Sequence, residues 1–222
     1  MAVGQRAWSA LLTISFAVAV ALYFGSWGLG IHSVLLNDLA KTLPLSVLTL
    51  LTWLAGGRKL PIMPAAFLFS ALGDLAGEHR NFILQVGMFA VAHLLFIAHF
   101  SRRMRFDGVA YAGVAAVGVV ATTLGLIILP RIALPVEQYA CSLYIILIGA
   151  MAISATAQQS RYRWWYVVAA LLFLFSDSCI AWNRYVERVP HAGALIMTTY
   201  FAAQYIFAST YLAEHRHRPT KS

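Results

Sequence analysis

The chain alternates between long apolar runs and short polar connections along its whole length. Each run comes close to the roughly 20 apolar residues that an α-helix needs to cross the hydrocarbon core of a bilayer. The pattern predicts transmembrane helices at residues 7–29, 34–55, 61–77, 81–101, 108–130, 138–160, 164–183 and 192–213. We therefore expect an all-α polytopic membrane protein, a bundle of about eight transmembrane helices that forms a single integral membrane domain over residues 1–222.

The composition supports the membrane assignment. Hydrophobic residues make up 61% of the chain and charged residues 11%, whereas a soluble domain carries about 25% charged residues. So few charges cannot cover a water-facing surface. The formal net charge of +8 comes from basic residues in short clusters between the apolar runs, which is typical of loop cations that face anionic lipid. Membrane lipids are therefore expected partners, and nucleic acid is not.

The distribution of lysine and arginine over the connections predicts the orientation in the membrane. One side of the predicted bundle holds Arg6, Arg58, Lys59, Arg102, Arg103, Arg105, Arg161, Arg163, Arg216, Arg218 and Lys221, and the other holds Arg80, Arg131, Arg184 and Arg188. Cytoplasmic loops carry the excess of basic residues in multi-pass proteins. Both termini are therefore predicted to lie in the cytoplasm, and the membrane is the inner one if the source is bacterial.

Two carboxylates are the most informative polar residues. Six of the eight acidic residues lie in loops or at helix ends, Asp38 near the start of the second span among them, and Asp74 and Asp177 alone are assigned to the body of a span. A carboxylate inside the membrane costs several kcal/mol unless it is paired or wetted, so it indicates a functional site by default. The structural alternative is an ion pair, or a neutral hydrogen-bonded acid, that holds two helices together.

The predicted topology places further polar groups at a similar depth. Asp74 and Asp177 lie in the outer parts of the third and seventh spans, and Lys41 lies at the outer edge of the second. These groups could converge on one polar cavity, or they could form a buried Lys–Asp pair without chemistry. Four other side chains could join them: His93, Asn183, Tyr200 and Gln204. Tyr200 and Gln204 are four residues apart and so share one helix face.

Several familiar chemistries are missing from the sequence. It contains no G-x-S-x-G elbow, no H-E-x-x-H motif and no P-loop. No spacing recommends a metal site built from His93 and the two aspartates. We therefore predict neither a metal nor another cofactor.

At the same residues the sequence resembles the YhhN/TMEM86 family. The similar segments are Ser70-Ala-Leu-Gly-Asp74 with Gly87-Met-Phe-Ala-Val-Ala-His93, Phe175-Ser-Asp-Ser-Cys-Ile-Ala-Trp-Asn183, and Pro190 to Gln204, together with Lys41 in the second span. The segments occur in the family's order and cover most of the chain. Trp182 departs from the smaller aliphatic residue that the family pattern has before the asparagine, which bears on acyl-chain or head-group preference.

The resemblance implies lysoplasmalogenase activity, which is hydrolysis of the vinyl-ether bond of lysoplasmalogens to a fatty aldehyde and a glycerophospho-alcohol. The expected substrates carry ethanolamine or choline head groups, and no cofactor is implied. A vinyl ether hydrolyses after protonation of its β-carbon, which needs a carboxylic acid that holds its proton near neutral pH. A second carboxylate can stabilise the resulting cation and activate water, as in glycosidases.

The predicted site follows from this chemistry. Asp74 and Asp177 are the predicted catalytic pair, and the sequence does not decide which is the acid. Lys41 would hold one carboxylate ionised or bind the substrate phosphate as a point charge, and Tyr200 and Gln204 would position water or the glycerol hydroxyl. His93 and Asn183 complete the predicted substrate-binding set.

Two other functions use the same residues. A transporter or channel could bind protons or ions at the two aspartates, although few helix-breaking residues lie near them. A non-catalytic lipid-binding or scaffold protein could use the same charges only to hold its helices together. Aldehyde release by detergent-solubilised protein distinguishes the three classes.

Overall fold

The computed structural model describes residues 2–30, 33–57 and 61–216, and within them the chain forms eight α-helices and no β-strand. The helices are α1 (Ala2–Gly28), α2 (Val34–Thr52), α3 (Ile62–Glu78), α4 (Phe82–Ser101), α5 (Gly108–Ile128), α6 (Pro135–Ala157), α7 (Arg163–Tyr185) and α8 (Ala192–Arg216). A π-helical turn (Trp53–Gly57) extends α2, and a 3-10 turn (Leu129–Arg131) extends α5. The predicted all-α architecture is confirmed, and each helix lies within a few residues of a predicted span.

Six of the helices in the described part of the chain are long and apolar enough to cross a membrane: α1, α2, α4, α5, α6 and α7. The protein is therefore an integral multi-pass membrane protein. The other two helices carry predicted site residues. The α3 helix, with Asp74, has 17 residues, and α8 contains Tyr200 and Gln204. Polar residues that are buried against other helices lower the hydropathy of a span without exposing charge to lipid.

The described residues form two compact units. The first comprises those within Met1–Ala92 and Phe207–Ser222. In it α2 packs against both α1 and α3, with Leu48 and Phe67 fully buried. Gly73 lets α3 approach α4 closely, because a Cβ atom at this position would lie 3.1 Å from the Phe89 ring. Small residues at such positions are the usual means of close helix packing in membranes.

The second unit comprises His93–Ile206. In it α6 packs against both α5 and α7. Aromatic residues of α4 and α7 form much of its interior: the rings of Phe100 and Tyr166 meet edge-on with centroids 5.1 Å apart, and those of Phe96 and Phe173 with centroids 6.4 Å apart. Edge-on pairs of this kind contribute about 0.5–1.5 kcal/mol beyond the area they bury. These contacts hold α7 firmly against α4.

One end of this unit is closed by an ion pair between two connections. Asp107 caps α5 by accepting a hydrogen bond from the Ala110 amide. Arg163, the first residue of α7, binds both carboxylate oxygens of Asp107 at 2.6 and 2.7 Å. The hydrogen bonds from the Arg163 guanidinium, together with the Ala110 amide, hold the pKa of Asp107 well below its ordinary value. The start of α7 is thereby fixed to the start of α5.

Candidate functional site

Asp177 lies at the centre of a polar cluster in the second unit. Its side chain is buried within α7. The phenol of Tyr144 on α6 donates a hydrogen bond to Asp177 Oδ2. His93 Nε2 on α4 lies 2.9 Å from the same phenol oxygen and 3.7 Å from Asp177 Oδ2. Asp177, Tyr144 and His93 therefore form one hydrogen-bonded group across three helices, here called the Asp177 cluster.

The arrangement of protons in the Asp177 cluster follows from the chemistry of its members. A tyrosine hydroxyl has one proton, and here it goes to Asp177. The phenol oxygen can then only accept from His93, so Nε2 of His93 carries a proton. His93 is completely buried, and its Nδ1 has no hydrogen-bond partner among the described residues. The cluster thus runs as a donor chain from His93 through Tyr144 to an accepting carboxyl oxygen on Asp177.

Aromatic packing holds the cluster in place and brings Tyr200 beside it. The His93 ring meets Phe173 edge-on at a centroid distance of 4.8 Å. Phe173 also meets the Tyr200 ring, at a centroid distance of 5.4 Å and an interplanar angle of 87°. The hydroxyl of Ser176, next to Asp177, donates to the Ile196 carbonyl at 3.0 Å and so joins α7 to α8. Tyr200 lies one turn of α8 after Ile196, and its side chain is buried.

Gln204 and Asn183, two further predicted residues of this unit, have different settings. Gln204 is fully buried on α8, one turn beyond Tyr200. Asn183, in the last turn of α7, accepts a hydrogen bond at 2.9 Å from the backbone amide of Val189 through its Oδ1 atom. That contact shapes the connection between α7 and α8. A direct role of either residue toward substrate stays a prediction.

A second polar contact joins α6 to α7 near the end of α7. Glu137, in the first turn of α6, accepts hydrogen bonds from Arg184 at 2.9 Å and from the Tyr185 hydroxyl at 2.7 Å. Glu137 and Tyr144 are seven residues apart on α6, so they lie on one side of that helix. The contact therefore fixes the register in which Tyr144 meets Asp177.

Asp74 lies in the first unit. It is buried on α3, at 3% exposure, one turn after the buried Ser70. The phenol of Tyr23 on α1 is close enough to Asp74 and Glu78 to interact with both carboxylates electrostatically. The sequence placed Asp74 inside a membrane span, and the low exposure of its side chain agrees with that position.

Lys41 forms an ion pair in the first unit. Its Nζ lies 3.1 Å from Glu78 Oε2, at the end of α3, and its side chain is only 16% exposed. One turn earlier on α2, Asp38 pairs with His79 at 3.1 Å. The sequence left open whether Lys41 pairs with one of the two span aspartates or binds the substrate phosphate. Its partner in the structure is Glu78, which the sequence analysis placed at a helix end without a role.

Sequence reasoning missed the residues that contact two of the predicted site residues: Tyr144, which binds Asp177, and Glu78, which pairs with Lys41. Tyr144 is one of ten tyrosines, and a tyrosine in an apolar span is ordinary. The only available signal was that a buried Asp177 needs a donor on another helix. Glu78 lies four residues after Asp74, so helical periodicity could have placed it on the same face.

Metal binding finds no geometric support in the described part of the chain. No group of three or more histidine, cysteine or carboxylate side chains is arranged there to hold an ion. The side chains beside Asp177 that could ligate an ion are the Tyr144 phenol and the His93 imidazole, and these are hydrogen-bonded to each other.

Comparison with known proteins places the chain in a family. Residues 36–211 match the YhhN family. The chain belongs to this family. The resemblance that the sequence motifs indicated is therefore confirmed, and the matched range contains all the segments that carried it.

The curated relatives of this YhhN-family chain cover most of its length. Rat lysoplasmalogenase TMEM86B is 30% identical over 192 residues, which are 85% of this chain and 78% of the rat protein. Bovine lysoplasmalogenase TMEM86A is 30% identical over 221 residues, covering 88% of this chain and 86% of the bovine protein. The human protein of the latter name is 29% identical over 214 residues, with coverage of 88% and 86%. No solved structure matches the chain significantly.

Proposed function

We propose that this protein is a lysoplasmalogenase-like membrane hydrolase that cleaves the vinyl-ether bond of 1-alkenyl lysophospholipids. The products are a fatty aldehyde and a glycerophospho-alcohol. The single observation that carries the proposal is the Asp177 cluster, a buried carboxyl group with a fixed donor chain in a membrane-spanning unit. The relatives named lysoplasmalogenase support the substrate class.

The reaction needs one proton and one water molecule. A carboxylic acid protonates the β-carbon of the vinyl ether, and the α-carbon becomes an oxocarbenium ion. Water adds to that carbon and loses a proton to a base, which gives a hemiacetal. The hemiacetal collapses to the aldehyde and releases the glycerol hydroxyl, so the net reaction consumes one water. Paired carboxyl groups perform the equivalent steps on glycosidic bonds.

Asp177 is suited to the base and cation-stabilising role. Its Oδ2 accepts from Tyr144, which leaves Oδ1 to face the developing cation or the attacking water. The donor chain from His93 fixes the carboxyl plane, and fixed dipoles need no reorganisation during the reaction. The division of acid and base roles between Asp74 and Asp177 stays a prediction, and replacing each one separately tests it.

Lys41 is proposed to bind the substrate phosphate. An ammonium group that is 16% exposed and already paired with Glu78 has a fixed position and retains two further N–H donors. A phosphate could be bound beside Glu78 or could replace it as the partner of Lys41. The head group attached to this phosphate is proposed to be either ethanolamine or choline.

The proposed orientation places both termini in the cytoplasm and the ends of α3 and α7 toward the outer leaflet. The excess of arginine and lysine in the predicted cytoplasmic connections supports it. Single cysteines at positions 80 and 188, in a variant that lacks Cys141 and Cys179, should react with a membrane-impermeant maleimide from outside. Labelling only after the membrane is opened would reverse the orientation.

The direct test is aldehyde release from a 1-alkenyl lysophospholipid by purified protein in detergent. Turnover that depends on Asp177 supports the proposal. The absence of turnover from folded protein with both ethanolamine and choline substrates would contradict it.

A further inference from the structure

An apolar groove lies beside the helix that carries Asp177. Its volume is about 420 Å³, and it lies within the second unit. Val120 and Leu124 of α5 form one side, and Leu174, Ser178 and Trp182 of α7 form the other, with Val189 of the following connection at one end. The α7 residues recur every four positions, so the groove follows the helix axis.

The lining of the groove selects for an apolar ligand. Ser178 is one of the few polar groups in it, and its hydroxyl donates to the Leu174 carbonyl of its own helix at 2.6 Å. That bond satisfies the hydroxyl internally, as is usual for serine in apolar helices. The remaining named walls are aliphatic or aromatic. A head group, a phosphate or a sugar would lose its hydration there without gaining hydrogen bonds, whereas an alkyl chain would not.

The position of the groove relative to Asp177 identifies which alkyl chain. Leu174 lies three residues before Asp177 and Ser178 directly after it, so both are within about one helical turn of it. In a 1-alkenyl lysophospholipid the vinyl ether is the first group of the single chain. A surface that holds this chain must therefore begin near the reacting carboxyl. Leu174, which lines the groove, is three residues from Asp177 and is therefore its neighbour on the surface of α7.

We infer that the groove binds the alkenyl chain of the substrate and sets the preference for chain length. The inference rests on the proposed function for the identity of the ligand. Trp182, in the last turns of α7, lines the groove together with Val189 of the following connection. In this arrangement the chain extends from near Asp177 past Leu174 and between α5 and α7, and Trp182 forms part of the wall.

The first test fills the groove and measures turnover against chain length. Val120→Trp adds bulk inside the groove, and Val119→Trp is the matched control because Val119 is 67% exposed and does not line the groove. We expect Val120→Trp to raise KM for a long-chain substrate at least about tenfold over a short-chain one, as exclusion of two methylenes from an apolar site predicts. The control should keep the wild-type profile. Leu124→Trp tests the same space from the next turn of α5, if Val120→Trp does not fold.

The second test is independent of turnover. A non-cleavable 1-O-alkyl lysophospholipid with a diazirine on its chain is photolysed with the protein, and the labelled peptides are identified by mass spectrometry. Label in the 117–128 and 171–182 segments, reduced by Val120→Trp and unchanged by Val119→Trp, supports the groove as the chain site. Equal labelling in both variants overturns it, and means that bulk lipid occupies the groove.

The two tests separate this inference from the proposed function. If aldehyde is released but neither the chain-length profile nor the labelling responds to groove filling, the inference fails and the hydrolase stands. If no aldehyde is released but labelling responds, the groove binds an alkyl chain and the proposed reaction fails.

Discussion

Tyr144 offers the sharpest perturbation of the Asp177 cluster. Replacing it with phenylalanine removes one oxygen and keeps the ring, which packs against His93 at a centroid distance of 5.2 Å. The change deletes the hydrogen bond to Asp177 and the bond from His93, which lies 2.9 Å from the phenol oxygen. His93 and the 9%-exposed Asp177 would then be left buried and without their shared partner.

The size of the effect follows from these bonds. A hydrogen bond that involves a charged group contributes roughly 1.5–3 kcal/mol, and burial without a partner costs a similar amount. If the bond positions Asp177 for reaction, its loss should lower kcat by about 10- to 150-fold. KM should change little, because the phenol contacts Asp177 rather than the head group or the chain. The free energy of unfolding should fall by about 1–3 kcal/mol.

The assay compares Tyr144→Phe with Tyr139→Phe on the same helix. Tyr139 is 76% exposed, so its hydroxyl should be dispensable. In a double-mutant cycle with Asp177→Asn, the two effects on kcat should be far from additive, since the residues act as one unit. A folded Tyr144→Phe protein that releases aldehyde as fast as wild type would refute the role assigned to the cluster.

Three further predictions address other parts of the molecule. Lys41→Gln should raise KM for the lysophospholipid and leave kcat nearly unchanged, and an equal loss in kcat would argue against phosphate binding. Gly113→Ala should destabilise the protein by about 1–3 kcal/mol, because its Cβ would lie 2.9 Å from Cγ2 of Thr156; Gly118→Ala, with open space around it, should not. Asp107→Asn should destabilise the protein at pH 7. Since its pKa is lowered on folding, the wild-type advantage is fully present above the ordinary aspartate pKa of about 3.9 and is lost progressively as pH falls from there through the lower pKa of the folded state. Unfolding curves of the two proteins from pH 7 to about pH 3 should therefore show the advantage begin to shrink.

The fold was largely predictable because the membrane imposes a simple rule on sequence. Backbone groups in hydrocarbon must bond within their own helix, so uninterrupted apolar runs of spanning length specify helices directly. The bounds of α4 and α5 were predicted almost to the residue for this reason. The π-helical turn that ends α2 was not, since the hydropathy of Trp53 and Leu54 fits an α-helix equally well.

The candidate site was only partly predictable. Asp177 and Asp74 stood out because a carboxyl group within a membrane span is costly and therefore indicates a functional site by default. Tyr144 did not, since its importance depends on the rotation of α6 against α7. That rotation is fixed by distant contacts such as Glu137 with Arg184. Hydropathy gives the length of a helix but not the direction in which one of its tyrosines points.

Lys41 illustrates the same limit in the first unit. Its position at the edge of a span was visible in the sequence, and a carboxylate partner was one of the two roles that the sequence left open. Which carboxylate it meets depends on how far α2 slides along α3. The observed pairs of Lys41 with Glu78 and of Asp38 with His79 fix that register. The sequence alone could not show which residues of α3 would meet the two charges of α2.

The measurement that tests the account most directly is aldehyde release from a 1-alkenyl lysophospholipid by wild-type protein, Asp74→Asn and Asp177→Asn, each purified and shown to be folded. The account predicts turnover by the wild type and its loss in both variants, with Tyr139→Phe, whose exposed hydroxyl should be dispensable, as an active control. Wild-type turnover in both variants would contradict the assignment of the two carboxyl groups. No turnover by the wild type with either head group would contradict the hydrolase itself and favour transport through the same residues.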